Sequence, residues 1–171
     1  MSGSGQRTWG WHRLDDSWAR RIVDAAGIRP GELVLDIGAG DGALTAPLVE
    51  AGARVIAIEL HERRAAALRR RFADQPVKVV RTDAADLYLP TRPFRVVASP
   101  PYGISTALLK RLLAPGSQLT RADLVLQRGF VNQALRRPVR RYSLELGLRL
   151  PRTAFRPRPQ VDSAVLVARR T

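Results

Sequence analysis

The sequence predicts an α/β fold: a doubly wound, mostly parallel sheet of seven strands with helices on both faces. Two observations carry that expectation. Short β-branched and aliphatic runs alternate with helical spacings along 171 residues, the pattern of repeated βαβ units. Each of the first four runs also stops at a glycine, an acidic residue or a proline pair, and in open α/β sheets ligands bind beyond the carboxyl ends of the strands.

The elements follow in order. In residues 17–28, Trp18, Ile22, Val23 and Ala26 recur at helical spacing and the helix ends near Gly27. The run 32–40, ELVLDIGAG, is a strand ending in glycines, and DGALTAPLVEAG after it reads as a helix. RVIAIEL (54–60) is a second buried strand, followed by the arginine-rich helix 61–73. A third strand and its loop occupy 77–87, and FRVVASPPY (94–102) is a fourth strand that two prolines must end. Residues 123–135 supply another strand and helix, 140–150 a strand, and 161–170 a last alternating strand.

Composition narrows the partners. There are 29 Lys plus Arg against 15 Asp plus Glu, a net charge of +14 carried almost wholly by arginine. Such a field favours polyanions, and arginine suits phosphate forks and base stacking, so nucleic acid is the leading partner class. The chain has no cysteine, which removes disulfides, thiolate metal sites and cysteine nucleophiles. His12 and His61 fall in different segments, so no metal is expected. No run approaches the roughly 20 apolar residues of a membrane span, and no apolar signal core opens the chain. A cytoplasmic monomer is expected, with one catalytic domain over 1–171, residues 1–16 as an arm or lid, and no carboxyl-terminal helical domain.

The turn DIGAGDG puts Asp36, Gly38, Gly40 and Gly42 at a strand-to-helix junction, where glycine lets the backbone approach a bound molecule closely. Glu59 ends the next strand, in place to accept from both ribose hydroxyls of a nucleoside cofactor. A dinucleotide would set its pyrophosphate beside Asp41 and expects G-x-G-x-x-G spacing, which this turn lacks. S-adenosylmethionine carries no phosphate, and its sulfonium and ammonium tolerate the carboxylates of Asp36 and Asp41. Asp83, after the third strand, can accept from the adenine amino group with the amide of Ala84 on the ring, or can simply cap its turn.

The fourth strand ends in Ser99, Pro100, Pro101 and Tyr102. A planar exocyclic amine is a poor nucleophile because its lone pair is delocalised into the ring. Acceptors on its two protons favour a pyramidal amine and stabilise the charge developing in the transition state. The Ser99 hydroxyl and the Pro100 carbonyl can be those acceptors, and Tyr102 can stack on an extruded base.

Read together, DIGAGDGALT, VIAIEL, TDAADL, ASPPYGIS, LVLQRG and FRPRPQVDSAV resemble the ribosomal RNA adenine dimethyltransferases, the Erm and KsgA family, from about residue 9 to 170. The resemblance implies a Rossmann-like fold and methyl transfer from S-adenosylmethionine to an adenine amine. It is most similar to the Erm branch, and to short mycobacterial-type Erm proteins that share a WGWHRL opening. That likeness implies 23S rRNA as substrate, in the peptidyl-transferase region, and resistance to macrolides, lincosamides and streptogramin B. Carried over by position, Gly38 and Gly40 would lie under the methionine part of the cofactor, with His12 and Leu14 closing over it. Glu59 would hold its ribose, Asp83 and Ala84 its adenine, and Ser99 would border both cofactor and target. Ser99, Pro100 and Tyr102 would hold the target adenine, and Phe155 would approach it from the other side.

Departures from the pattern fall at Ser99, where most members have asparagine, at Gly129, where an acidic residue is common, and at Trp11 and Arg13 in the arm. The null for Trp9, Trp11 and Trp18 is a hydrophobic clasp. Without a helical domain, the arginines are expected to grip RNA: Arg136, Arg137, Arg140 and Arg141, with Arg149, Arg152, Arg156 and Arg158, would flank the target-base pocket and contact phosphate. The rival readings are a DNA amino-methyltransferase, suggested by S-P-P-Y, and a catalytically weak RNA-binding relative.

Overall fold

The computed structural model describes residues 11–171, so Trp9 and the beginning of the arm lie outside the described residues. Nine strands and five helices follow one another as β1 Arg13–Leu14, α1 Asp16–Ala26, β2 Leu33–Ile37, α2 Thr45–Glu50, β3 Arg54–Ile58, α3 Glu62–Arg71 and β4 Val77–Val80, then β5 Phe94–Ala98, α4 Ser105–Leu112, β6 Leu119–Gln127, α5 Arg128–Leu135, β7 Tyr142–Leu150, β8 Phe155–Arg156 and β9 Ser163–Arg170. Seven of the strands form one sheet in the order β4-β3-β2-β5-β6-β9-β7. The five from β4 to β6 run parallel, and β9 and β7 close the edge antiparallel.

Strand residues point alternately to two cores. Val34, Val97, Val125, Val165 and Val167 pack under α1, α2 and α3 with Ile22, Leu48 and Leu68. Leu35, Ile37, Val96, Leu124, Leu126 and Leu166 pack under α4 and α5 with Leu108, Leu112 and Val131. Both faces are therefore dry, which is why the strands read as unbroken apolar runs. The ends of α1 fall where its sequence sets them: Asp15 accepts from the Ser17 amide at 2.8 Å, and Gly27 stops the helix at φ 63°.

One helix is additional to the sequence reading. Leu108 and Leu112 sit four residues apart and seat α4 on the sheet, a spacing present in the sequence but short enough to pass as loop. The pairing of β1 with β8, Leu14 opposite Phe155 and Arg13 opposite Arg156, is also new. It joins two segments more than a hundred residues apart, and neither is long enough to show a period.

Candidate active site

Strand order reverses at β2: β3 and β4 lie on one side of it, and β5 returns on the other. The turns after β2 and β5 therefore diverge and leave a crevice at the carboxyl edge, the usual ligand position in such sheets. Gly38 and Ser99 open those two turns. They are packed together: a Cβ on Gly38, whose φ is 76°, would stand 3.0 Å from Pro101 Cδ and 3.4 Å from Pro100 Cα. The glycine is what allows the two turns to touch.

A small cavity of about 30 Å³ lies against this junction, lined among others by His12, Leu14, Asp36, Gly38, Gly40 and Ser99. The arm closes over it. Trp11 lies on the glycine turn, its Nε1 3.0 Å from where a Gly40 Cβ would be, and Arg64 of α3 stacks on the indole at 3.9 Å. Arg13 Nε donates to Asp41 at 2.5 Å and its Nη2 to Asp16 at 2.9 Å. The two arm residues that depart from the family pattern, Trp11 and Arg13, thus fall on the same turn and engage its Gly40 and Asp41. Trp18 lies apart from this contact, with Arg21 stacked on it at 4.0 Å.

Glu59 is buried, and both its oxygens are engaged: Oε1 accepts from the Gly40 amide at 2.9 Å and Oε2 from the His61 amide at 2.7 Å. It therefore braces the glycine turn from β3. Asp83 is exposed after β4 and caps a 3₁₀ turn at Ala84–Asp86, accepting from the Ala85 amide at 3.0 Å. Its capping role is seen directly, and one carboxylate oxygen is left for other use.

Asp36 is 1% exposed, and Thr45 Oγ1 donates to it at 2.7 Å. Burial pushes its carboxyl up to about 7, helped by the charge of Glu59 and partly offset by the Thr45 hydroxyl. In an unfolded chain the group titrates near 3.8, so the folded protein holds an extra proton between about pH 4 and 7. The stability Asp36 contributes is full below about pH 4 and lost as pH rises through 7. The melting temperature is expected to fall between pH 6 and 8, and to fall less in Asp36→Asn, which cannot ionise. Thermal melts of both proteins at the two pH values check this.

Beyond β5, Pro100 is buried and Tyr102–Ile104 forms a 3₁₀ turn running into α4, with Ser105 Oγ donating to the Tyr102 carbonyl at 2.8 Å. The Tyr102 hydroxyl meets Ser163 Oγ at 2.9 Å, and burial pushes its phenol up, so it stays neutral. Tyr102 faces the His12 ring, centroids 6.1 Å apart and planes 28° apart, and His12 Nδ1 donates to the Pro157 carbonyl at 2.6 Å. No partner for the Ser99 hydroxyl occurs among the described residues.

Two expectations from sequence are corrected. Phe155 does not approach the target position: it is 1% exposed, inside the core under α1, because β8 pairs with β1 and turns its side chain inward. His12 instead is the ring across from Tyr102. The second correction concerns Arg136, Arg137, Arg140 and Arg141. In β9, Ser163 pairs with Gln127 at the carboxyl edge and Arg169 with Arg121 at the other end. Tyr142, which follows Arg141, pairs with Arg170, and Leu150 with Ser163. These four arginines therefore sit at the edge opposite the catalytic turn, where a chain reading without strand directions had no means to put them. Arg149, Arg152, Arg156 and Arg158 do lie on the side of the site. Arg128 was missed; with Asn132, Arg152 and Gln160 it lines an open groove of about 490 Å³ beside Asp162 and Ser163. Its signal was its place at the carboxyl end of a strand.

Among the described residues no cluster of His, Cys, Asp or Glu could hold a metal, and no helix is long and apolar enough to cross a membrane. Comparison with known proteins finds the family described as "Ribosomal RNA adenine dimethylase" matching residues 12–170. A ribosomal RNA small subunit methyltransferase A from Ralstonia nicotianae is 33% identical over 169 residues, covering 90% of this chain and 60% of that protein. An rRNA adenine N-6-methyltransferase from Corynebacterium diphtheriae is 35% identical, covering 80% and 57%. The chain thus spans about 60% of the length of these curated relatives. Among solved structures, the 23S rRNA methyltransferase ErmE superposes with a TM-score of 0.84 at 31% identity over 94% of this chain and 70% of that one. A dimethyladenosine transferase from Plasmodium falciparum gives 0.82 at 25% identity, over 94% and 64%.

Proposed function

The chain belongs to the ribosomal RNA adenine dimethylase family and has the Rossmann-like fold of S-adenosylmethionine-dependent methyltransferases; from that premise we propose that it methylates the exocyclic amine of an adenine in the peptidyl-transferase region of 23S rRNA. Such a product would confer macrolide, lincosamide and streptogramin B resistance. The turn Ser99–Tyr102 carries this reading. It stands at the switch point, packed on the glycine turn, with an unpaired hydroxyl and a half-buried aromatic face.

The residues around the crevice suit the cofactor. Asp36 and Asp41 suit a cationic ligand and would repel a pyrophosphate, while the glycines at 38 and 40 let a ligand approach the backbone. Gly38, Gly40, His12 and Leu14 would hold the methionine end, Glu59 the ribose, Asp83 and Ala84 the adenine, and Ser99 would face the methyl. S-adenosylmethionine supplies a methyl group on positively charged sulfur, ready for a nucleophile. The protein's own part is to make the amine nucleophilic. Ser99 Oγ and the Pro100 carbonyl accept from its two N–H groups, Tyr102 stacks on the base, and the arm excludes water.

The likeness to ErmE and the arm sequence support 23S rRNA. The Ralstonia relative favours a second reading, an adenine of small-subunit RNA. The test is transfer of labelled methyl to protein-free 23S rRNA, 16S rRNA and duplex DNA, with products mapped by primer extension. Label at peptidyl-transferase adenines is expected, faster with Ser99→Asn because an amide carbonyl is the better acceptor. Label in 16S rRNA alone replaces the substrate, label in DNA alone replaces the RNA reading, and no label despite cofactor binding leaves an RNA-binding relative.

A further inference from the structure

The four arginines removed from the catalytic edge form a patch that the methyl-transfer site does not use. Arg136 and Arg137 follow α5, which begins beside the site at Arg128 and runs back toward the far edge. Arg140 and Arg141 sit on the tight turn between α5 and β7, closed by the Val139–Tyr142 bridge and by the Thr171 amide donating to the Arg141 carbonyl at 2.9 Å. All four are exposed, as is Arg170 opposite Tyr142. None has a carboxylate partner among the described residues, because the carboxylates of the flanking strands are taken: Glu145 by Arg169 at 3.0 Å, and Asp123 by Arg121 at 2.9 Å and Arg95 at 3.6 Å.

Arg141 gives a second, independent observation. Its φ is 70°, and it is the only residue other than glycine with positive φ among the described residues. That conformation favours glycine or asparagine and penalises a side chain such as arginine. Everywhere else this chain meets such a backbone with glycine. An arginine kept where the fold favours glycine, at the tip of a turn carrying three more, points to a use for the charge.

We propose that this far-edge patch is a second RNA grip, holding the phosphate backbone of a helix that extends away from the target adenine. It rests on the reading of the catalytic edge as an RNA site. The eight residues of β9 separate the two edges by roughly 23 Å at about 3.3 Å per residue. A substrate held at both must therefore be at least that long. The contacts are to phosphate, so they add affinity and salt dependence without reading sequence.

The test measures binding by fluorescence anisotropy, without methyl transfer, to two labelled RNA stem-loops. One has about 6 base pairs, at most roughly 20 Å at about 3.4 Å per pair; the other has about 16, the length that spans two minor grooves. R136Q/R137Q/R140Q/R141Q is expected to weaken the long probe about tenfold or more and to leave the short probe within about twofold. Its log–log salt slope on the long probe should shrink by about 2–3, at about 0.7–0.9 per lost phosphate contact. R141G separates charge from fold: relief of the left-handed backbone should hold or raise its melting temperature while long-probe affinity falls a few-fold. Equal affinity of variant and parent for the long probe, or equal loss on both probes, overturns the grip, as does R141G with unchanged RNA affinity. If methyl transfer to RNA is absent yet the length-dependent loss appears, the catalytic reading fails and the grip stands. Intact methyl transfer without that loss leaves the catalytic reading and removes the grip.

Discussion

Tyr102→Ala is expected to lower kcat/KM for methyl transfer by about 10- to 100-fold while leaving cofactor binding unchanged. A base stacked on an aromatic side chain is worth about 1–3 kcal/mol by alanine substitution, and each 1.36 kcal/mol is about tenfold in rate. Tyr102 stands between His12 and Ser163 at the mouth of the site and is not among the residues lining the cavity by the glycine turn. Base holding and cofactor holding should therefore separate. Tyr102→Phe keeps the ring and loses the contact with Ser163, a hydrogen bond worth about 1 kcal/mol, so it should lose less than about tenfold. Single-turnover transfer and equilibrium dialysis with labelled cofactor measure the two effects. An alanine variant as fast as the parent would remove stacking from the mechanism.

Arg95→Leu should be the most damaging single change to stability. Arg95 is buried on β5, where it reaches Glu32 at 3.0 Å and Asp123 at 3.6 Å and donates to the Gly27 and Ala26 carbonyls at 3.2 and 2.5 Å. It thus closes the carboxyl end of α1, whose last carbonyls have no partner within the helix. Leucine fills the space but leaves those carbonyls, and in part Asp123, buried without compensation. Breaking a buried pair from one side costs about 3–5 kcal/mol. Arg121 still holds Asp123 at 2.9 Å, so the low end applies, about 3 kcal/mol, a fall in melting temperature of roughly 6–12 °C for a domain of this size. R95L/D123L should regain part of the loss, since the stranded carboxylate is then gone. A single variant that melts with the parent would show that this network contributes nothing net.

The strand–helix order and the turn chemistry were legible in the sequence because period and punctuation are local. Apolar runs ending in Gly38, Glu59, Asp83 and Ser99 identified both the strands and the edge where they end. What the sequence withheld was direction. Whether Arg140 lies beside the site or across the sheet depends on β7 and β9 running antiparallel to their neighbours, and no spacing within 136–170 records that. Phe155 was misplaced for a related reason. Its inward orientation is set by a two-residue pairing with Arg13–Leu14, which is a contact between distant segments rather than a pattern.

That pairing links two events in the catalytic cycle. The arm lies on the glycine turn through Trp11 and Arg13, yet it is also hydrogen-bonded to the segment carrying Pro157, and His12 stands over Tyr102. Lifting the arm to exchange spent cofactor therefore disturbs the mouth that holds the base. The two halves of the cycle share one hinge, so an adenine that needs two methyl groups meets an enzyme built to let go between them. Dimethylation by such a machine is distributive, and the singly methylated base is a released product before it is a substrate.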